Sequence, residues 1–231
     1  MKLLAFETAT EACSVALYLD GEVHERFGIA PRRHTELALP WAQELLAGAG
    51  IAKSQLDAIA LGRGPGAFTG VRLAIALAQG IALALDRPIV AVSTLAVLAA
   101  QAEGPRILAS IDARMGEIYA GAFACVDGLP QPVSAETVVA PDAYCLPDDA
   151  GGWHGVGTGL AAADALLQTR LRGQLARVDA AALPHAADLA RLAAVAYARG
   201  EAIAPERVEP AYLRDNVALT LEQQAAQRAA R

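Results

Sequence analysis

The chain has 231 residues, 55% of them apolar and 19% charged, a balance that buries a core and excludes a disordered polypeptide. Its formal charge of -6 argues against a surface that grips a nucleic-acid backbone unaided, since that affinity is built from clustered Lys and Arg. Three cysteines (Cys13, Cys125, Cys145), odd in number and far apart, fit a reducing compartment rather than a disulfide frame, and the expected location is the cytoplasm.

Lys2 to Glu7 is a short apolar run, and Glu7 and Glu11 follow too soon for a signal peptide. Ser14 to Leu19 is rich in strand formers and ends in Asp20-Gly21, a hairpin turn signal, so three antiparallel strands are expected through about Ile29. Pro31-Arg32-Arg33-His34-Thr35 then opens a helix with Leu37, Trp41 and Leu45 on one face, closed by Gly48 and Gly50. His34, beside two arginines, reads as part of a solvated basic loop, and Pro40 is expected to kink the helix. Asp57 to Leu61 predicts a buried strand, Gly62 to Gly70 a loop, Val71 to Leu85 a helix and Pro88 to Val92 a strand. Ser93 or Thr94 caps a further helix to about Ala102. The longest apolar run, Leu73 to Leu85, is shorter than the roughly 18 to 20 residues of a membrane span, so no membrane helix is expected.

Three strands in a meander followed by alternating helices and strands is not the strict alternation of a Rossmann sheet. It is the order of one lobe of the actin-like ATPase and ribonuclease H-like folds, an α/β class. Near Gly104-Pro105 the pattern restarts with an apolar run from Arg106 to Ile111, a turn over Asp112 to Glu117 and a returning run from Ile118 to Val126. A looser, degenerate second lobe follows: a Pro- and Asp-rich surface stretch from Gly128 to Ala150, a strand Trp153 to Val156, a helix opened by Gly157-Thr158-Gly159 and another from about Ala186 to Ala198. The expected division is therefore a first lobe over 1–104 carrying partner-binding helices, a smaller lobe over 105–210 and a tail over 211–231. Beyond Thr220 that tail is either a frayed helix or disordered.

The segment Gly62-Arg63-Gly64-Pro65-Gly66-Ala67-Phe68-Thr69-Gly70 sits between a strand and a helix, where backbone N–H groups can cradle an anion. It lacks the Gly-Lys-Ser/Thr ending of a Walker A loop, so tight turns and close packing compete with phosphate binding and with a partner contact. The helix behind it is apolar all round, with a small-residue stripe of Gly70, Ala74, Ala78 and Ala82 and another of Ala76, Gly80 and Ala84. The first stripe reads as a subunit interface rimmed by Leu37, Trp41 and Leu45, with burial inside the chain's own domain as the competing reading. Glu7, Thr8 and Thr10, on the turn after the first strand, and Asp112, on the corresponding turn of the second lobe, lie where actin-like ATPases hold phosphate, making them candidates for a vestigial nucleotide cleft. Arg114-Met115-Gly116-Glu117 fills the second turn. The four His are scattered, with no pairing that suggests a metal site, and no metal is expected.

Met1 to about Val126 resembles the bacterial TsaB (YeaZ) family, which takes part in making N6-threonylcarbamoyladenosine beside the anticodon of certain tRNAs. The resemblance rests on Phe6 to Leu17, Pro31 to Thr35, Gly62 to Arg72 and Ile111 to Tyr119, with Glu209 to Ala218 matching the family's C-terminal signature. Glu7 stands where Asp is common and Ala67 where Ser is common, which weighs against ATP turnover by this chain. The resemblance implies a noncatalytic partner of TsaD, a paralogue of the same fold that carries the metal and transfers the threonylcarbamoyl group. It also implies a small ATPase, TsaE, ATP used by the complex rather than bound by this chain, tRNA met only through the complex, and a homodimer when alone. The alternative is an ATP-dependent kinase-like enzyme working through Glu7 and Asp112. For a third reading, a peptidase, no nucleophile and base pair is legible.

Overall fold

A computed structural model describes residues 1–214; Asp215 to Ala218 of the C-terminal signature and the rest of the tail lie outside the described residues. The first sheet contains β1 (Lys2–Glu7), β2 (Ala12–Leu19), β3 (Glu22–Ile29), β4 (Ala58–Gly62) and β5 (Ile89–Val92), in the order β3-β2-β1-β4-β5. β1, β2 and β3 are antiparallel, Asp20 and Gly21 supplying the positive φ of the turn between β2 and β3, while β1, β4 and β5 run parallel. Alternation along β1 sends Leu4 and Phe6 to one face and Leu3 and Ala5 to the other. The first face is covered by α1 (His34–Gly48) and α2 (Phe68–Leu85), burying Leu45, Val71 and Ile75 against Leu17, Ile59 and Leu61.

The second sheet contains β6 (Arg106–Arg114), β7 (Glu117–Val126), β8 (Leu129–Pro132), β9 (Thr137–Val139), β10 (Trp153–Val156) and β11 (Leu175–Asp179). Its order is β11-β10-β6-β7-β8, with β9 also paired to β7. α4 (Ala162–Arg170) and the preceding turn close one face through Leu160 and Leu167. The other face takes α3 (Thr94–Ala99), whose Leu95 and Leu98 pack on Ile107, Ala109 and Phe123. Ser93 caps α3, its hydroxyl accepting from the N–H groups of Leu95 and Ala96. This short helix is the wedge between the sheets.

The expected second lobe over 105–210 is corrected by α5 (Ala186–Ala198), which returns to the free face of the first sheet. There Ala186, Ala190 and Ala193 meet Ala5, Ala16, Ala58 and Ala60, and alanine on both sides brings helix and sheet close. Beyond it Ile203 pairs with Ile89 at the outer edge of β5, and Val208 enters the core beneath α2. The stretch from Gly128 to Ala150, read as surface, contributes β8 and β9. α1 runs unbroken through Pro40, and α2 starts at Phe68 rather than Val71. At 18 residues α2 is long and apolar enough to cross a membrane by composition alone, which the run from Leu73 did not suggest; in this fold one of its faces lies on the sheet.

Candidate functional site

A cleft of about 1080 Å³ opens between the sheets, walled by the β1–β2 turn, the start of α2, the β6–β7 hairpin and the segment 211–214. Thr10 and Asp112 line it; Glu7 and Thr8 do not. Glu7 continues the Leu3 and Ala5 face of β1 and so points inward. Its Oε1 accepts from the Ala9 N–H at 2.8 Å and its Oε2 from the Thr94 hydroxyl at 3.2 Å. Burial pushes its pKa up to about 7, against the opposing pull of these hydrogen bonds. The expectation of a cleft carboxylate at Glu7 is thus corrected: the group sits in the core. Thr8 is fully buried too, its hydroxyl donating to the Gly70 carbonyl at 2.7 Å.

The Gly-rich loop is fastened to the same turn. Ala67 N–H donates to the Ala9 carbonyl at 2.7 Å. A Cβ on Gly66 would lie 2.4 Å from the Ala9 oxygen, one on Gly70 2.0 Å from the Thr8 oxygen and one on Gly62 1.9 Å from Glu7 Oε2. Of the three readings of this loop, close packing is the one the geometry displays, and at these positions only glycine admits it. Asp112 is engaged by its own hairpin: Oδ1 accepts from the Arg114 N–H at 2.7 Å, and Oδ2 pairs with Arg114 Nη1 at 2.9 Å. His34 is no solvated loop residue. It opens α1, and its Nε2 lies 3.0 and 3.1 Å from the Thr10 and Ala12 carbonyls, so that nitrogen carries the proton.

The sequence reading missed two features of this cleft. Arg72 stacks on Phe68 at 3.2 Å from the ring centroid, and the Tyr212 ring, itself stacked on Phe68 with centroids 6.2 Å apart, lies 5.2 Å from the same guanidinium. The i, i+4 spacing of Phe68 and Arg72 held the only local signal. The segment carrying Tyr212 then spans the lobes. Ala211 N–H donates to the Arg63 carbonyl at 2.8 Å, and Arg214 donates to the Ala113 carbonyl at 3.2 Å and to Glu117. Among the described residues no three His, Cys, Asp or Glu side chains gather as a metal-binding group.

The proposed interface residues divide differently from expectation. Ala74, Ala78 and Ala82 are 0% exposed, and Gly70 is buried, so this stripe faces the chain's own sheet. Leu45 is in the same core, with Leu37 and Trp41 half-buried against it. Beyond Arg72 and Gln79 the helix has no charged or amide side chain to mark its outward face, and the stripe whose small residues permit close approach was needed against the sheet. Outward instead stand Ala76, Gly80, Leu83 and Ala84, with Phe68 at the helix start.

Two sheets, a wedge helix and a cleft between them make this a two-lobed α/β protein of the actin-like, ribonuclease H-like fold. Residues 16–221 match the family model described as TsaD, tRNA N6-adenosine threonylcarbamoyltransferase. The chain is 41% identical over 225 residues to the tRNA threonylcarbamoyladenosine biosynthesis protein TsaB of Escherichia coli strain K12, covering 94% of this chain and 96% of that protein. The same-named protein of Haemophilus influenzae is 36% identical over 94% of this chain and 95% of its own length. The solved structure of YeaZ from Pseudomonas aeruginosa superposes with a TM-score of 0.84 at 44% identity, covering 92% of this chain and 99% of that one. The chain belongs to the TsaB (YeaZ) family.

Proposed function

We propose that this chain takes part in making N6-threonylcarbamoyladenosine in tRNA as a noncatalytic subunit in the cytoplasm. Its partner is a TsaD-like paralogue that transfers the threonylcarbamoyl group, joined by a TsaE-like ATPase, with ATP and tRNA engaged by the complex. The observation that carries this reading is the placement of Glu7: the carboxylate standing on the first phosphate turn, where Asp is common in the family, is turned into the core and hydrogen-bonded there, while Asp112 is paired with Arg114. The outward face of α2 supports the partner role. Ala76, Gly80 and Ala84 let a second helix approach closely, and exposed Leu83 and Phe68 provide the bulky contacts. The same face pairs two copies when the partner is absent.

Reconstitution tests the proposal. Modified tRNA is expected from the paralogue, the ATPase, a threonylcarbamoyl donor and ATP only when this chain is added. ATP turnover by the isolated chain on the order of 1 per second, lost in Glu7→Ala, overturns it in favour of a kinase-like enzyme. Light scattering tests the surface: Ala76→Glu is expected to give a folded monomer that no longer binds the paralogue, whereas Ala78→Glu buries a charge against the sheet and unfolds the chain.

A further inference from the structure

A second concavity, of about 480 Å³, shares no residue with the cleft. Its floor is apolar, made by Ala91 and Val92 of β5, Leu192 and Val195 of α5 and Ile203. Its rim carries Arg63, Arg199 and Arg207. These come from three separate places, the loop after β4, the C-terminal cap of α5 and the turn Pro205–Arg207. All three are exposed, and among the described residues none is in an ion pair. Glu201 and Glu209 share the lining, likewise in no ion pair among the described residues, so the lining itself sets three cations against two carboxylates in a chain of net charge -6. Glu136, whose carboxyl accepts from the Ser93 hydroxyl, also faces Arg63: burial raises its pKa, and the hydrogen bond and the field of Arg63 pull it back down.

Three guanidinium groups brought from distant sequence positions to one lining offer donors that a single bound anion can share. The guanidinium fork matches the oxygens of a phosphate, and a cavity of a few hundred Å³ with an apolar floor suits a small organic body. We propose that this concavity binds a small organic phosphate, the phosphate on the rim of Arg63, Arg199 and Arg207 and a flat or apolar body on the floor between β5 and α5. The site is independent of the cleft and of the role in tRNA modification.

Calorimetric titration of the full chain with AMP, adenosine, pyrophosphate and a single-stranded RNA hexanucleotide tests it. AMP is expected to bind and adenosine not. Replacing all three arginines by Gln weakens AMP at least about tenfold, while Arg114→Gln in the cleft leaves it unchanged. Each single Arg→Gln change moves affinity the same way by a smaller factor, which keeps the test open should the triple variant not fold. Failure of both AMP and pyrophosphate to bind at millimolar concentration overturns the proposal, as does AMP binding that survives the triple change or is lost in Arg114→Gln. Binding of the hexanucleotide alone, lost in the triple variant, assigns the phosphate to a strand and overturns the small-molecule site.

Discussion

Glu7 closes β1 with its carboxyl beneath Gly62, held by Ala9 and Thr94, and in the folded protein its pKa rises from 4.5 to about 7. An acid whose folded pKa is raised contributes its stability in full below its unfolded pKa and loses it as pH climbs through the folded one. The chain should therefore weaken between roughly pH 4.5 and 7.5, by about 3 kcal/mol for a shift of this size. Glu7→Gln keeps the shape and removes the titration, so its urea midpoint is expected to lose this decline and to exceed the wild type at pH 8. Gly70 makes the complementary steric case: a Cβ there meets the Thr8 oxygen at 2.0 Å, and Gly70→Ala is expected to destabilise by several kcal/mol, measured by thermal melting. That these glycines serve contact was legible in the sequence as one of three readings. That Glu7 points inward was not, since the turn residues around it are polar and only the alternation with Leu3 and Ala5 places it on the α3 and α5 side.

At the scale of elements, α5 shows how one helix fixes two parts of the chain. Its first N–H groups are satisfied from the first sheet: Ala186 donates to the Ser14 hydroxyl at 2.9 Å and Ala187 to Glu25 Oε1 at 3.0 Å, while Ser14 itself donates to Glu25. His185 stands at the N-cap, 3.0 Å from Glu25 Oε2 and stacked on Phe27. Ser14→Ala removes an acceptor and a donor at a fully buried position and should lower stability by about 1–2 kcal/mol in urea unfolding. The pair adds a pH window. The Glu25 hydrogen bond raises the pKa of His185. Burial pushes Glu25 up, but its bonds from His185, Ser14 and Ala187 outweigh that and leave it below its ordinary value. Support from the histidine is complete below its unfolded pKa near 6.5 and fades as pH rises through the folded one. Support from the carboxylate is complete above about 4.5 and fades as pH falls. His185→Gln is therefore expected to flatten the part of the stability profile that declines above pH 6.5, by under about 1 kcal/mol because the ring is partly in water. The sequence foretold a helix from about Ala186 to Ala198, but not its destination, because the partners Ala5, Ala16 and Ala58 lie more than a hundred residues away. β11 escaped notice for a different reason: LARVD is an edge strand with charged, exposed side chains and no alternation to betray it.

Across the whole molecule, the net charge of -6 limits what the chain can grip alone. Isolated protein is expected to shift tRNA very weakly in a gel at physiological salt, and the complex with a basic partner to shift it strongly. Tight, salt-sensitive binding by the chain alone would contradict this. The two-lobed plan was readable because the meander and the restart near Gly104 are local patterns. The division of residues between lobes was not, because it depends on one late helix crossing back. That crossing bears on how the protein is made. A ribosome releases β1 to β5 well before Ala186–Ala198 emerges, so through the synthesis of the entire second sheet the face bearing Leu3, Ala5, Ala16, Ala58 and Ala60 lacks α5 and has only α3, through Val97, against it. The nascent chain thus carries a partly open apolar surface until α5 has left the exit tunnel, a natural client for a chaperone during translation and a stage at which aggregation competes with folding.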